Sequence, residues 1–216
     1  MKLIDFYNLL LNEFGCQHWW PAETSFEVIV GAILTQNTNW QNVVKAITNL
    51  KQAGLLSIEG LATVRQDRIA LLIKSSGYFN QKAERLQVMA KHLFEYYQGN
   101  LKKFFNRDIQ TIRNELLEIK GIGPETADSI LLYAGNKPVF VIDLYTKRIM
   151  ERLGFYKGSL DYESLQDFFQ CNLPENYKLF NEFHALLVEF AKRYCRKKPL
   201  CENCFMAKKC HYFNYD

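Results

Sequence analysis

The chain has 216 residues, a formal net charge of +4, and 48% hydrophobic and 14% aromatic residues. That apolar share excludes a mostly disordered chain, and the length suffices for one large domain or two small ones with buried cores. No apolar run reaches the ~18 residues of a membrane span, so no membrane partner is expected; a mild positive charge agrees with a nucleic-acid partner without requiring one.

The opening stretch MKLIDFYNLLLNEFG mixes acidic and apolar positions and predicts an amphipathic helix, not a leader peptide, so a cytoplasmic location is expected. Residues 26–34 are apolar and turn polar over 35–39. Residues 41–52 have apolar positions at helical spacing, with Gly54 beyond them. Short helices are predicted over 58–64 and 67–73, and a long amphipathic one over 81–97. A further helix over 109–119 runs into Gly-Ile-Gly. Helix resumes over 126–134 and stops at Gly135-Asn136-Lys137-Pro138. The only β-like piece is VFVI at 139–142, too short to define a sheet. Helices over 143–153, 162–169 and 177–193 complete an all-α chain joined by loops of a few residues.

Gly121, Ile122 and Gly123 lie between two predicted helices. Glycine there permits a tight turn and leaves the backbone bare, so amides opening the second helix can approach a phosphate oxygen. Lys120, Gly121, Ile122, Gly123 and Thr126 form the expected DNA-backbone contact, with Ile119 and Ile122 anchoring the hairpin. An ordinary turn between helices is the alternative. Asp143 follows Gly123 by 20 residues, after four apolar residues and before a helix. It can cap that helix, and a carboxylate there can also stabilise a cationic sugar and orient water; both roles can coexist.

Of six cysteines, Cys195, Cys201, Cys204 and Cys210 form C-x5-C-x2-C-x5-C near the C-terminus. In a reducing compartment this spacing suggests a metal site before disulfides, and four thiolates can hold a [4Fe–4S] cluster or one zinc. Arg196, Lys197, Lys198, Lys208 and Lys209 lie in the intervening loops, either to meet phosphates or simply solvated. Cys16 and Cys171 stand apart and are expected to be packing residues.

Taken together, AILTQNT at 32–38, GYFNQKA at 77–83, KGIGPETAD at 120–128, VID at 141–143 and the cysteine loop resemble the endonuclease III family of helix-hairpin-helix DNA glycosylases over nearly the whole chain. The resemblance implies a two-domain, all-α helix-hairpin-helix fold with a C-terminal [4Fe–4S] loop at 195–210. A helical domain over 22–133 and a second domain from 1–21 plus 134–216 would hold damaged duplex DNA between them, with the protein a monomer. Two departures stand out. Five residues separate the first two cysteines where the family has six. The position of the family's strand-cleaving lysine holds Glu125, and a carboxylate cannot form a Schiff base.

In this respect the chain is most similar to the lysine-free 3-methyladenine DNA glycosylases of the superfamily, which share a WWP segment. That similarity implies a base pocket of Trp19, Trp20, Pro21 and Trp40, with Trp19 and Trp40 sandwiching the flipped base. It further implies gap-filling by Gln36 and Tyr78, Asp143 as the catalytic carboxylate and Lys192 as a supporting residue in the C-terminal helix. For the tryptophans, core packing or an exposed aromatic patch is the alternative. Glycosylases for oxidised, deaminated or mismatched bases, and a non-catalytic module that recognises distorted DNA, remain open.

Overall fold

The computed structural model describes residues 1–215; Asp216, the last residue of the expected second domain, lies outside the described residues. Among them there is no strand, and no helix is long and apolar enough to cross a membrane. The chain forms two compact units, Trp20–Lys137 and a discontinuous one made of Met1–Trp19 and Pro138–Asp216.

In the continuous unit, α2 (Ser25–Leu34) is buried along nearly its whole length and is capped by Thr24, whose side chain accepts from the Glu27 amide. Against it pack α3 (Trp40–Gln52), α6 (Phe79–Tyr97) and α9 (Pro124–Ser129); α4 (Ile58–Thr63), α5 (Gln66–Leu72) and α7 (Leu101–Phe105) pack on α6, and α8 (Ile109–Glu118) packs on α9. The helix opened by α9 continues as a wider π turn over Ile130–Ala134, all of it buried. A single inserted residue widens such a turn and rotates the side chains that follow it.

In the discontinuous unit, α1 (Leu3–Phe14) presents Leu3, Phe6 and Leu10 as a stripe at helical spacing and packs on α12 (Tyr177–Arg193). α10 (Leu144–Leu153), α11 (Tyr162–Asn172) and α13 (His211–Tyr215) complete it. Its core is aromatic: Phe6 meets Phe155, Phe183 and Phe190, and Phe140 stacks on Phe169 at 4.0 Å. Each fully buried phenylalanine contributes about 1.5–3 kcal/mol.

The β-like segment 139–142 is buried but pairs with no strand. The side chains of α11 take the place of a ladder: Gln170 Oε1 accepts from the Phe140 amide at 2.9 Å, and Gln166 Nε2 donates to the Phe140 carbonyl at 2.7 Å. Cys16 and Cys171 are exposed, which corrects their expected packing role.

Candidate functional site

The hairpin joins α8 to α9. Gly121 has φ +86, so its backbone demands glycine, and a Cβ there would also push the Arg85 side chain aside. Gly123 is different: its backbone is extended, φ −95, and a Cβ would meet no protein atom within 4 Å. Pro124 fills the first helical position, where no amide is needed. Ile119 and Ile122 are buried beneath the turn, whereas Lys120 is exposed and paired with Glu84 at 2.7 Å. Glu125 is exposed in the first turn of α9. Deeper in the same helix, buried Asp128 accepts a two-pronged bond from Arg113 at 2.8 and 3.1 Å.

The polar loop after α2 is latched to this hairpin. Gln36 Nε2 donates to the Gly121 carbonyl at 3.1 Å and to Thr126 Oγ1 at 3.0 Å, and Arg85 Nη1 donates to Gln36 Oε1. Tyr78 behaves otherwise. It is 68% exposed and sits at φ 46 after Gly77 at φ 67, in the turn that opens α6.

Trp20 packs edge-on against Trp40, centroids 5.3 Å apart at 88°, and lies 5.2 Å from Tyr133 of the π turn. Its ring covers Gly31, where a Cβ would come within 2.9 Å of Cζ2. Trp20 is one ring set against Trp40; Trp19 belongs to the discontinuous unit and Pro21 is exposed.

In the discontinuous unit, Asp143 caps α10. Its Oδ1 accepts from the Thr146 amide at 2.7 Å and from Thr146 Oγ1 at 2.8 Å. Oδ2 lies 3.7 Å from Nε2 of His184, and both side chains are nearly enclosed. Burial pushes the His184 imidazole below its ordinary value, partly opposed by the Asp143 charge. The sequence reading missed His184; the only signal was one histidine in the apolar run FHALL. Lys192, expected as a supporting residue, is exposed in the last turn of α12, eight residues beyond His184 and so about 12 Å along the axis.

The cysteine loop is held down by Phe205, which meets Phe14, Phe190 and Tyr194, and by buried Met206. Arg152 Nη1 donates to Cys195 Sγ at 3.6 Å and to the Arg196 carbonyl at 2.6 Å, and Nη2 donates to the Lys197 carbonyl at 3.1 Å. Burial pushes the Cys204 thiol up to about 11; the Met206 amide opposes that shift, and Cys195, Cys210 and Cys201 add to it. Burial, then Cys210 and Cys195, also raise Cys201. The four sulfurs therefore sit within one another's electrostatic reach, and a bound cation relieves such crowding of thiolates. Among the described residues no three Cys, His, Asp or Glu side chains are drawn close enough to hold one metal ion as they stand. An all-sulfur donor set with arginine and amide donors to two of its sulfurs fits a thiolate-bound cluster. Arg196, Lys197, Lys198, Lys208 and Lys209 are exposed around it.

Residues 30–175 match the model of the HhH-GPD superfamily of base excision DNA repair proteins. The chain is 47% identical over 206 residues to a Methanocaldococcus jannaschii protein assigned as a DNA repair glycosylase, covering 94% of this chain and 93% of that protein. It is 32% identical to endonuclease III of Thermotoga maritima over 189 residues, 87% of this chain and 83% of the relative. Among solved structures it resembles the H. pylori 3-methyladenine DNA glycosylase bound to 1,N6-ethenoadenine, with a TM-score of 0.78 and 30% identity, covering 89% of this chain and 98% of that one. With its two-glycine hairpin and all-helical units, the chain belongs to the HhH-GPD superfamily of base excision repair proteins, as an endonuclease III-like DNA glycosylase.

Proposed function

We propose that this DNA glycosylase works without a covalent lysine intermediate and hydrolyses the bond between deoxyribose and an alkylated purine, with 3-methyladenine in duplex DNA as the reference substrate. The observation that carries this reading is the aromatic group of Trp20, Trp40 and Tyr133, with centroid separations of 5.3 and 5.2 Å. An adenine alkylated at N3 is cationic while joined to the sugar, and aromatic faces favour a cation by about 0.5–2 kcal/mol. Trp19 and Pro21, the chain neighbours of Trp20, are assigned to base recognition in this reading. Further support is the 30% identity to a 3-methyladenine glycosylase.

A flipped base must first leave the stack. The Gly123 end of the hairpin, bare of side chain, receives a phosphate, assisted by Lys120 and the turn around Gly121, Ile122 and Thr126. Tyr78 enters the gap; Gln36 contributes once it releases its bonds to the hairpin. The glycosidic C–N bond then breaks, and its electron pair leaves with the base, which departs neutral. Asp143, with Oδ1 held by Thr146, turns Oδ2 towards the cationic sugar and accepts the proton of the water that adds to C1′. Glu125 offers no amine for strand cleavage.

Cys195, Cys201, Cys204 and Cys210 are assigned to a [4Fe–4S] cluster on their donor set and on the similarity to endonuclease III. Bound, the cluster supplies thiolate–iron bonds that close the loop. Zinc is the alternative, and it would leave the protein colourless.

The test is chromatographic detection of the base released from alkylated duplex DNA, with Asp143→Asn as control. Release of 3-methyladenine by wild type alone supports the proposal. The 32% identity to an endonuclease III favours a second reading, a glycosylase for oxidised, deaminated or mismatched bases. No release from alkylated DNA, with release from one of those, would establish it. No release from any substrate would leave a DNA-binding module.

A further inference from the structure

Lys82 is a lysine on an amphipathic helix, yet it is 1% exposed. Its ammonium donates to the Leu34 carbonyl at 2.9 Å and to the Ser76 carbonyl at 2.7 Å. No carboxylate lies within ion-pair distance of it among the described residues. Burial, then the charge of Arg85, pulls Lys82 down to about 8. A buried cation satisfied only by neutral carbonyls carries a desolvation cost that its charge does not recover. A lysine whose only task was packing would be better replaced by methionine or leucine.

The two carbonyls show what the ammonium joins. Leu34 is the last residue of α2 and leads into the loop that carries Gln36. Ser76 is fully buried, bonds the Ile73 carbonyl through Oγ at 2.7 Å, and leads through Gly77 into Tyr78. The Lys82 amide itself donates to the Tyr78 carbonyl at 3.0 Å. One turn further along α6, Arg85 bonds Gln36 and lies under Gly121. The first turns of α6 therefore hold both loops and the hairpin in one register.

We propose that Lys82 is a positioning residue for base flipping, whose buried ammonium ties the Gln36 loop to the Tyr78 turn so that the two meet the duplex as one rigid edge. This rests on the reading of Tyr78 as the gap-filling residue. Neither Lys82 nor its carbonyl partners touch the base.

The test uses duplex DNA with 2-aminopurine beside the target base, whose fluorescence rises on unstacking, and compares wild type, Lys82→Met, Lys82→Arg and Tyr78→Ala. Lys82→Met should lower the fluorescence change and single-turnover excision at least tenfold, while affinity for undamaged duplex stays within about threefold. Lys82→Arg should recover part of the loss. A merely structural defect lowers affinity for undamaged duplex along with excision, in proportion to the folded fraction, and that result overturns the proposal. Loss in Tyr78→Ala with none in Lys82→Met overturns it while sparing the gap-filling reading. No loss in Tyr78→Ala overturns both.

If Lys82→Met does not fold, hydrogen exchange on the wild type decides. The Thr38 amide, bonded to the Thr35 carbonyl, and the Gly77 amide, bonded to the Lys74 carbonyl, should open with one shared free energy. Independent opening overturns the proposal.

Discussion

Asp143 and His184 face each other at 3.7 Å, carboxylate Oδ2 to imidazole Nε2, from the start of α10 and the middle of α12. The opposite carboxylate oxygen is already committed to Thr146. One edge of Asp143 is therefore fixed by its own helix and the other looks at a ring that burial keeps short of a proton. In the proposed mechanism, a neutral ring beside the carboxylate puts no competing cation between Asp143 and the sugar.

Replacing Asp143 by Asn keeps a side chain able to cap α10, so stability should change by no more than about 1 kcal/mol. Excision should fall by about 10²–10⁴-fold, the usual contribution of a positioned acid or base. Single-turnover kinetics and DNA affinity measured on the same preparation check this; affinity should hold within about threefold.

His184 sets a pH dependence of stability. Its folded pKa lies below its ordinary 6.5, so just below 6.5 the unfolded chain binds the extra proton. The contribution is present in full above 6.5 and is lost as pH falls through the folded value. Denaturant midpoints at pH 7.5 and 5.5 should diverge less in His184→Gln than in wild type. Asp143→Asn, which removes the charge opposing the shift, should widen the divergence.

The two hairpin glycines should separate on substitution. Gly121→Ala places a side chain at φ +86 against Arg85 and should cost about 1–3 kcal/mol of stability. Gly123→Ala meets extended backbone and open space, so stability should stay within about 0.5 kcal/mol. If a phosphate sits there, Gly123→Ala weakens duplex binding about tenfold; unchanged binding would remove the phosphate from that position.

Glu125 is exposed, so Glu125→Lys should fold normally. Borohydride should trap no covalent complex between wild type and abasic DNA, and Glu125→Lys should yield one. A trapped wild-type adduct would show that another amine, such as Lys120, performs lyase chemistry.

Cys204→Ser should abolish the visible absorbance of an iron–sulfur cluster and lower the melting temperature. Arg152→Met removes donors to Cys195 and to the two carbonyls after it, and should speed cluster loss under chelation while leaving the loop formed. A colourless wild type with bound zinc would reassign the metal.

Long periodic helices such as α6, α8 and α12 were legible because their apolar positions recur at helical spacing. The short α7 was not, since LKKFF buries only Phe104. The π turn was read as ordinary helix because one inserted residue leaves no mark on composition. VFVI looked like a strand because its residues favour extended backbone, but side-chain amides of α11 satisfy it. The hairpin, Asp143 and the four cysteines could be picked out by spacing and residue type. His184 and Lys82 could not: a histidine on an apolar face reads as packing and a lysine on an amphipathic helix reads as solvated, and only coordinates place their polar atoms.

The discontinuous unit has a consequence for biosynthesis. Translation delivers Trp20–Lys137 as one uninterrupted stretch, able to collapse as soon as it leaves the ribosome. α1 is made before the continuous unit, yet α12, the helix that covers its stripe of Leu3, Phe6 and Leu10, emerges more than 160 residues after it. At about 5–20 residues per second, that stripe waits on the order of ten seconds for its partner. A helix made before the continuous unit is thus buried only after it, and nascent chains stalled before α12 should be the species that chaperones hold and proteases clear.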